Sequence, residues 1–257
     1  MNLFDFNKYK NNENLPIFNN QNNNYQAAQD QSNDSVKNYD QELRKGFIKK
    51  VYSILTFQLL IVVSACVLTM FDKRVARFQR KNKEIFYVAM VLSILLLLLI
   101  SCVTKIARKV PLNYILLFIF TGCEAYMVSY ACANTKPKIV LMAASMTAGM
   151  TLLLTLYACV TDTDYTTMGA YLFAFAMALL LMGIFYLFTK NKILHIIICG
   201  LGVLLCSIYI IYDTQLITGN HSNSLTPDDY IIAPMFLFVD IVGLFLNMMG
   251  IVSYFNE

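Results

Sequence analysis

From about residue 51 onward the chain is a succession of apolar runs. Seven windows of some twenty mostly apolar residues stand out, at roughly 51–71, 85–104, 112–133, 139–160, 167–189, 193–217 and 231–254, with short polar links between them. Twenty helical residues at 1.5 Å each match the hydrocarbon thickness of a bilayer. Lipid offers the backbone no hydrogen-bond partner, so such a segment crosses as a helix. The pattern predicts an all-α membrane protein, a seven-transmembrane-helix bundle with no room for a second folded domain. Charge agrees: 14% of residues are charged, where a soluble domain carries about a quarter. The first apolar run lies too far into the chain for a cleaved leader, so the first span is expected to insert as a signal anchor.

Residues 1–43 have a different character. The first forty hold twelve Asn and four Gln with few aliphatic residues. Such a segment buries too little apolar surface to offset its ordering entropy. The expected domains are therefore a disordered Asn/Gln-rich N-terminal tail over 1–43 and a seven-helix transmembrane domain over 44–257.

The net charge is +4, and the basic clusters KKVY, DKRVARFQRKNK and TKIARKV flank apolar runs. They read as interface anchors, with the lipid bilayer as partner and no nucleic acid. Lys and Arg divide between the two faces of a seven-span bundle, so charge alone sets no orientation. Seven Cys lie within or at the ends of the spans, without CxxC or Cys/His ligand spacing, which predicts neither a disulfide framework nor a zinc site. His195 and His221 are isolated.

Against this background the acids inside apolar runs carry the information. Asp213 lies in CGLGVLLCSIYIIYDTQLI and Asp240 in IIAPMFLFVDIVGLFLNMMGIVSYF. A charge at helix-centre depth costs about 2.5–3.5 kcal/mol on insertion scales, and a carboxylate is too short to snorkel far. Asp213 precedes Gly219, the expected left-handed end of span six, by about 9 Å, and Asp240 follows Tyr230 by about 15 Å. Antiparallel spans joined by a short loop bring both acids in from one face at similar depth. The depths differ by about one turn, so a side-by-side pair is geometrically reasonable without being fixed by the spacing, and Pro234 is expected to interrupt span seven, where a kink would shift Asp240 further. Glu124 lies in span three among Gly122, Cys123 and Ala125, small residues that let a neighbouring helix come close.

The links have their own chemistry. Asp162 and Asp164 in TDTDYTTMG suit either a cation or the cap of span five, and capping is the simpler reading. Thr226, Pro227, Asp228 and Asp229 read as an N-cap, an N1 proline and two first-turn acids, in a spacing close to a capping box.

The stretches KGFIKKVYSILTFQLL, TDTDYTTMGA, IIYDTQLI and LTPDDYIIAPMFLFVDIVGLFL together resemble the Bax inhibitor-1 family, nearest its Lifeguard and Golgi anti-apoptotic protein branch, over about residues 44–254. The resemblance implies a seven-helix bundle with the last helix central, residence in endoplasmic reticulum or Golgi membranes, a pH-sensitive calcium leak and suppression of cell death. It maps a proton-sharing gate onto Asp213 and Asp240, and the acid of the third helix onto Glu124. The chain departs from the family pattern at Pro234 and Phe236. It also has Gly243 where Asn is common, and it ends in SYFNE without a basic tail.

Two carboxylates at one site cannot both ionise cheaply, so they hold a proton in common and titrate as a unit. Loss of that proton favours helix separation, water entry or a hard cation such as Ca²⁺. The expected function is a passive calcium leak, with Ca²⁺ as permeant ion transiently bound at Asp213 and Asp240 and Glu124 on the path. No tightly bound cofactor is implied, and other membrane cell-death regulators are the expected protein partners. A non-conducting regulator acting through such partners is the alternative. An intramembrane aspartyl protease shares the Tyr212-Asp213 element. It lacks G-x-G-D at Phe238-Val239-Asp240, and Ala233-Pro234-Met235 lies before the acid rather than in a later helix. The chain is therefore not expected to be an enzyme.

Overall fold

The computed structural model describes the backbone of residues 16–103, 106 and 108–256, with side chains from residue 38 onward. Two compact units divide the chain, Met1–Gly46 and Phe47–Glu257. Residues 1–15, part of the expected tail, lie outside the described residues. Over 16–43 the backbone is helical and belongs to α1, Pro16–Phe71. Proline at the first helical position forfeits no internal bond, and extending an existing helix needs no new nucleus.

Among its described residues the second unit contains helices and no strand. After α1 come α2 (Lys73–Lys81), α3 (Lys83–Cys102), α4 (Leu112–Ala133), α5 (Pro137–Val160), α6 (Gly169–Thr189), α7 (Lys192–Thr218) and α8 (Ile232–Phe255). All but α2 supply a segment long and apolar enough to cross a membrane, seven in total. The short α2 starts at Asp72, whose side chain accepts from the Arg74 amide. It is held to the end of α4 by Gln79 Nε2, which donates to Ser129 Oγ at 2.8 Å, and by Arg80, which donates to the Ala133 carbonyl.

The last helix is central, as the family resemblance implied. Twelve of the 24 residues of α8 are buried, among them Met235, Leu237, Phe238 and Leu244. Helix α8 packs against α7, α5 and α4. The α7–α8 contact is notched by small residues. A Cβ added at Gly202 would meet Asn247 Oδ1 at 2.5 Å, one at Gly243 would meet Cys206 Sγ at 3.0 Å, and one at Gly250 would meet Cys199 Sγ at 2.6 Å. The steps Cys199, Gly202, Cys206 up one helix answer Gly250, Asn247, Gly243 down the other. That is antiparallel registry with close backbones, as glycine permits in a membrane.

Pro234 does not interrupt the last helix, contrary to expectation. Helix α8 starts only at Ile232, which puts Pro234 in its first turn. There the backbone N–H has no intrahelical acceptor to lose, so the ring is tolerated without bending the helix. The capping box of Thr226 and Asp229 is present, but it caps a separate 3₁₀ turn, Pro227–Asp229, ahead of α8.

Candidate functional site

The two aspartates meet. Gly219, at φ 72°, ends α7 in the left-handed conformation, as its sequence position predicted. Six residues earlier, Asp213 is 5% exposed. Asp240 lies eight residues into α8, about 12 Å from its start. The two carboxyl groups lie within hydrogen-bonding reach of each other. The second oxygen of Asp240, Oδ2, is buried without a partner among the described residues. Tyr209 and Cys206 of α7 lie close enough to feel the Asp240 charge, and Tyr209 also that of Asp213. By the registry of the glycine notches Asp240 stands level with Tyr209, one turn short of Asp213 on the same seam, and the two carboxyl groups reach across that offset.

Glu124 is placed elsewhere. Its carboxyl group lies within hydrogen-bonding reach of Ser93 of α3, in the α3–α4 contact. Among the described residues, no group of three or more His, Cys, Asp or Glu could hold a metal ion. Asp213 and Asp240 bring together two carboxyl groups, fewer than a full coordination shell for a hard cation.

Above the pair, beyond the end of α7, the links are bonded to one another. Asp164 caps the 3₁₀ turn Tyr165–Met168. Its Oδ1 accepts from the Thr166 amide at 2.9 Å and the Thr166 hydroxyl at 2.6 Å, and its Oδ2 accepts from the Ser222 amide at 3.1 Å. These donors hold its carboxyl well below the usual carboxylate range. Asn223 adds two bonds to Thr166. Gln215, fully buried near the end of α7, donates to the Thr163 carbonyl at 2.9 Å and accepts from the Tyr165 amide at 2.8 Å. On the other side of the loop, Arg108 pairs with Asp229 at 2.9 Å. Partial burial would raise the pKa of Asp229, but the Thr226 hydroxyl and Arg108 outweigh it and keep the carboxyl below its ordinary value. Asp162 and Asp228 are exposed. Of the four loop acids, Asp164 and Asp229 thus make the caps, and both oxygens of Asp164 are committed to protein donors.

Sequence reasoning overlooked Gln215, Asn223 and the Arg108 pairing. Gln215 carried a legible signal, as an amide in an apolar span two residues after Asp213. Asn223 and Arg108 sit in polar links where partners depend on how the loops meet in space.

The profile of a family described as inhibitor of apoptosis-promoting Bax1 matches residues 44–257. The chain is 31% identical to protein lifeguard 3 of Homo sapiens over 218 residues, covering 82% of this chain and 70% of that protein. It is 34% identical to protein LIFEGUARD 1 of Arabidopsis thaliana over 217 residues, covering 82% and 90%. Against protein lifeguard 4 of Mus musculus the identity is 33% over 215 residues, covering 84% and 87%.

Proposed function

Because the chain belongs to the family of inhibitors of apoptosis-promoting Bax1 and is an integral membrane protein, we propose that it is a pH-sensitive calcium leak of an intracellular membrane, gated by Asp213 and Asp240. The observation that carries this reading is the meeting of two carboxyl groups within the seam of α7 and α8, with one Asp240 oxygen left unpartnered.

With one proton between them, the acids form a hydrogen bond that ties the two helices. Removing that proton leaves two buried like charges, which cost far more to hold together at low dielectric than in water. Separation of the helices, entry of water or capture of a cation relieves that cost. Calcium suits the role because it takes carboxylate and neutral oxygens and tolerates irregular geometry. Acid closes the path, and loss of the shared proton opens it. In this reading Glu124 flanks the path through the α3–α4 contact, and the organelle is the endoplasmic reticulum or Golgi. Lower stored calcium is the route by which the protein would suppress cell death, alongside other membrane regulators. No chemical reaction is involved.

The test is calcium flux from proteoliposomes across a pH series. Wild-type protein should leak more as pH rises through the transition of the pair. Asp213→Asn and Asp240→Asn each remove the like-charge repulsion and should flatten that response. Wild-type pH profiles in both variants would refute the gate.

A further inference from the structure

Hydroxyl groups in apolar helices normally return to their own backbone. Here Ser101 donates to the Leu97 carbonyl at 2.6 Å, Thr121 to Leu117 at 2.8 Å and Ser207 to Val203 at 2.7 Å. Two threonines of α5 do otherwise. The Oγ1 atoms of Thr147 and Thr151 are buried and have no hydrogen-bond partner among the described residues. Thr147 as a whole is 5% exposed.

They stand one helical turn apart. They share the inward stripe of α5 with Ala143, Met150, Leu154 and Ala158, while the rest of the helix is largely exposed. Helix α5 packs against both α7 and α8, the helices that hold the acid pair. Depth can be measured from the face where the loops are bonded. Asp240 lies about 12 Å in from the start of α8. Thr151 lies about 14 Å from the end of α5, and Thr147 about 20 Å. The unpartnered oxygens therefore begin level with Asp240 Oδ2 and continue past it toward the other face.

A buried hydroxyl without a partner is costly, and the α-helix offers each of these a carbonyl one turn back that it does not use. Neutral hydroxyl oxygens are also the ligand type that a hard cation, or the water it travels with, accepts after a carboxylate. We propose that Thr151 and then Thr147 line the continuation of the calcium path beyond the aspartate pair, handing the ion or its water from Asp240 along α5. The assignment rests on the leak reading above and adds the element and residues that carry the ion past the gate.

The experiment combines flux with thermal unfolding of the full-length chain. The variants are Thr147→Val, Thr151→Val, their serine counterparts and Ser145→Ala. Ser145 is exposed and donates to the Met142 carbonyl, so it serves as the control. Valine keeps the shape and removes the oxygen. Each valine variant should lower calcium flux roughly three- to ten-fold, the scale of one lost hydrogen-bond partner. Serine variants should retain most of the flux, and Ser145→Ala should match wild type. If the wild type leaks and Asp240→Asn flattens its pH response, yet both valine variants leak normally, the lining is overturned and the gate stands. If the wild type carries no calcium at any pH, the leak reading falls, and unfolding decides the remainder. A rise in unfolding temperature for both valine variants would mean dry, unserved hydroxyls and would overturn the lining. An unchanged or lower temperature would support hydroxyls that touch water.

Discussion

Helices α6 and α8 have nearly the same length and are equally apolar, yet they occupy opposite environments. Half of α8 is buried, whereas only Leu172 and Leu179 of α6 are. Phe173, Leu181, Phe185 and Phe188 of α6 are all exposed along its outer side. Hydrophobicity sends a helix into the bilayer but does not choose its place in the bundle, since lipid tails are as apolar as leucine. The choice falls to residues that either let backbones approach or need a partner. Helix α8 has Gly243 and Gly250 against Cys206 and Cys199, Asn247 against Gly202, and Asp240 against Asp213. Helix α6 has Gly183, where an added Cβ would meet nothing within 4 Å.

That contrast can be broken most forcefully at the glycines. Gly250→Leu should cost about 1–3 kcal/mol of stability or more, because the new side chain starts inside the contact distance of Cys199. Gly183→Leu should change stability by no more than about 0.5 kcal/mol. Thermal unfolding in detergent measures both, and equal losses would erase the distinction between the helices. Next in size is Gln215→Ala. It strands the Thr163 carbonyl and Tyr165 amide and should cost about 1–3 kcal/mol. Faster amide exchange at Tyr165 would locate the damage at the junction of α6 with α7.

A pH effect sharpens the same junction. Asp164 has a lowered pKa in the folded protein, so its bonds stabilise the loops above the ordinary carboxylate value of about 3.9. That contribution is lost as pH falls below this value toward the folded pKa. Amide exchange at Ser222 and Thr166 should accelerate in that acid window in wild type. Asp164→Asn should show fast exchange already at neutral pH, and a pH-independent wild type would count against the clasp. The smallest effect belongs to Arg108→Gln. Solvent and salt screen an ion pair with an exposed guanidinium, so the loss should be small and high salt should mimic the substitution in unfolding experiments.

Seven spans, the left-handed end at Gly219 and the pairing of Asp213 with Asp240 were all legible, because each follows from periodicity, chain length or the cost of a buried charge. The centrality of α8 was not legible in hydropathy and came only from family resemblance. Pro234 misled because its meaning depends on where α8 begins. The 3₁₀ turn at Pro227–Asp229 moved that start to Ile232. Glu124 was legible as unusual but not in its choice of Ser93, since a single helix does not reveal which neighbour covers it. Thr147 and Thr151 were silent for a related reason. A threonine in a helix ordinarily serves its own backbone, and only coordinates distinguish one that does not.

The glycine notches between α7 and α8 lie on one side of the acid pair, and the bonded loops lie on the other. The two helices are thus gripped to each other at Gly202, Gly243 and Gly250, whereas at the loop end Gln215 and Asp164 bond α7 and the α7–α8 link to the α5–α6 link rather than to α8. A force that drives Asp213 from Asp240 would meet least resistance on the loop side of the notches. Helix α8 would therefore swing from α7 like one blade of a pair of shears, parting at the carboxyl groups while the glycine contacts act as the rivet.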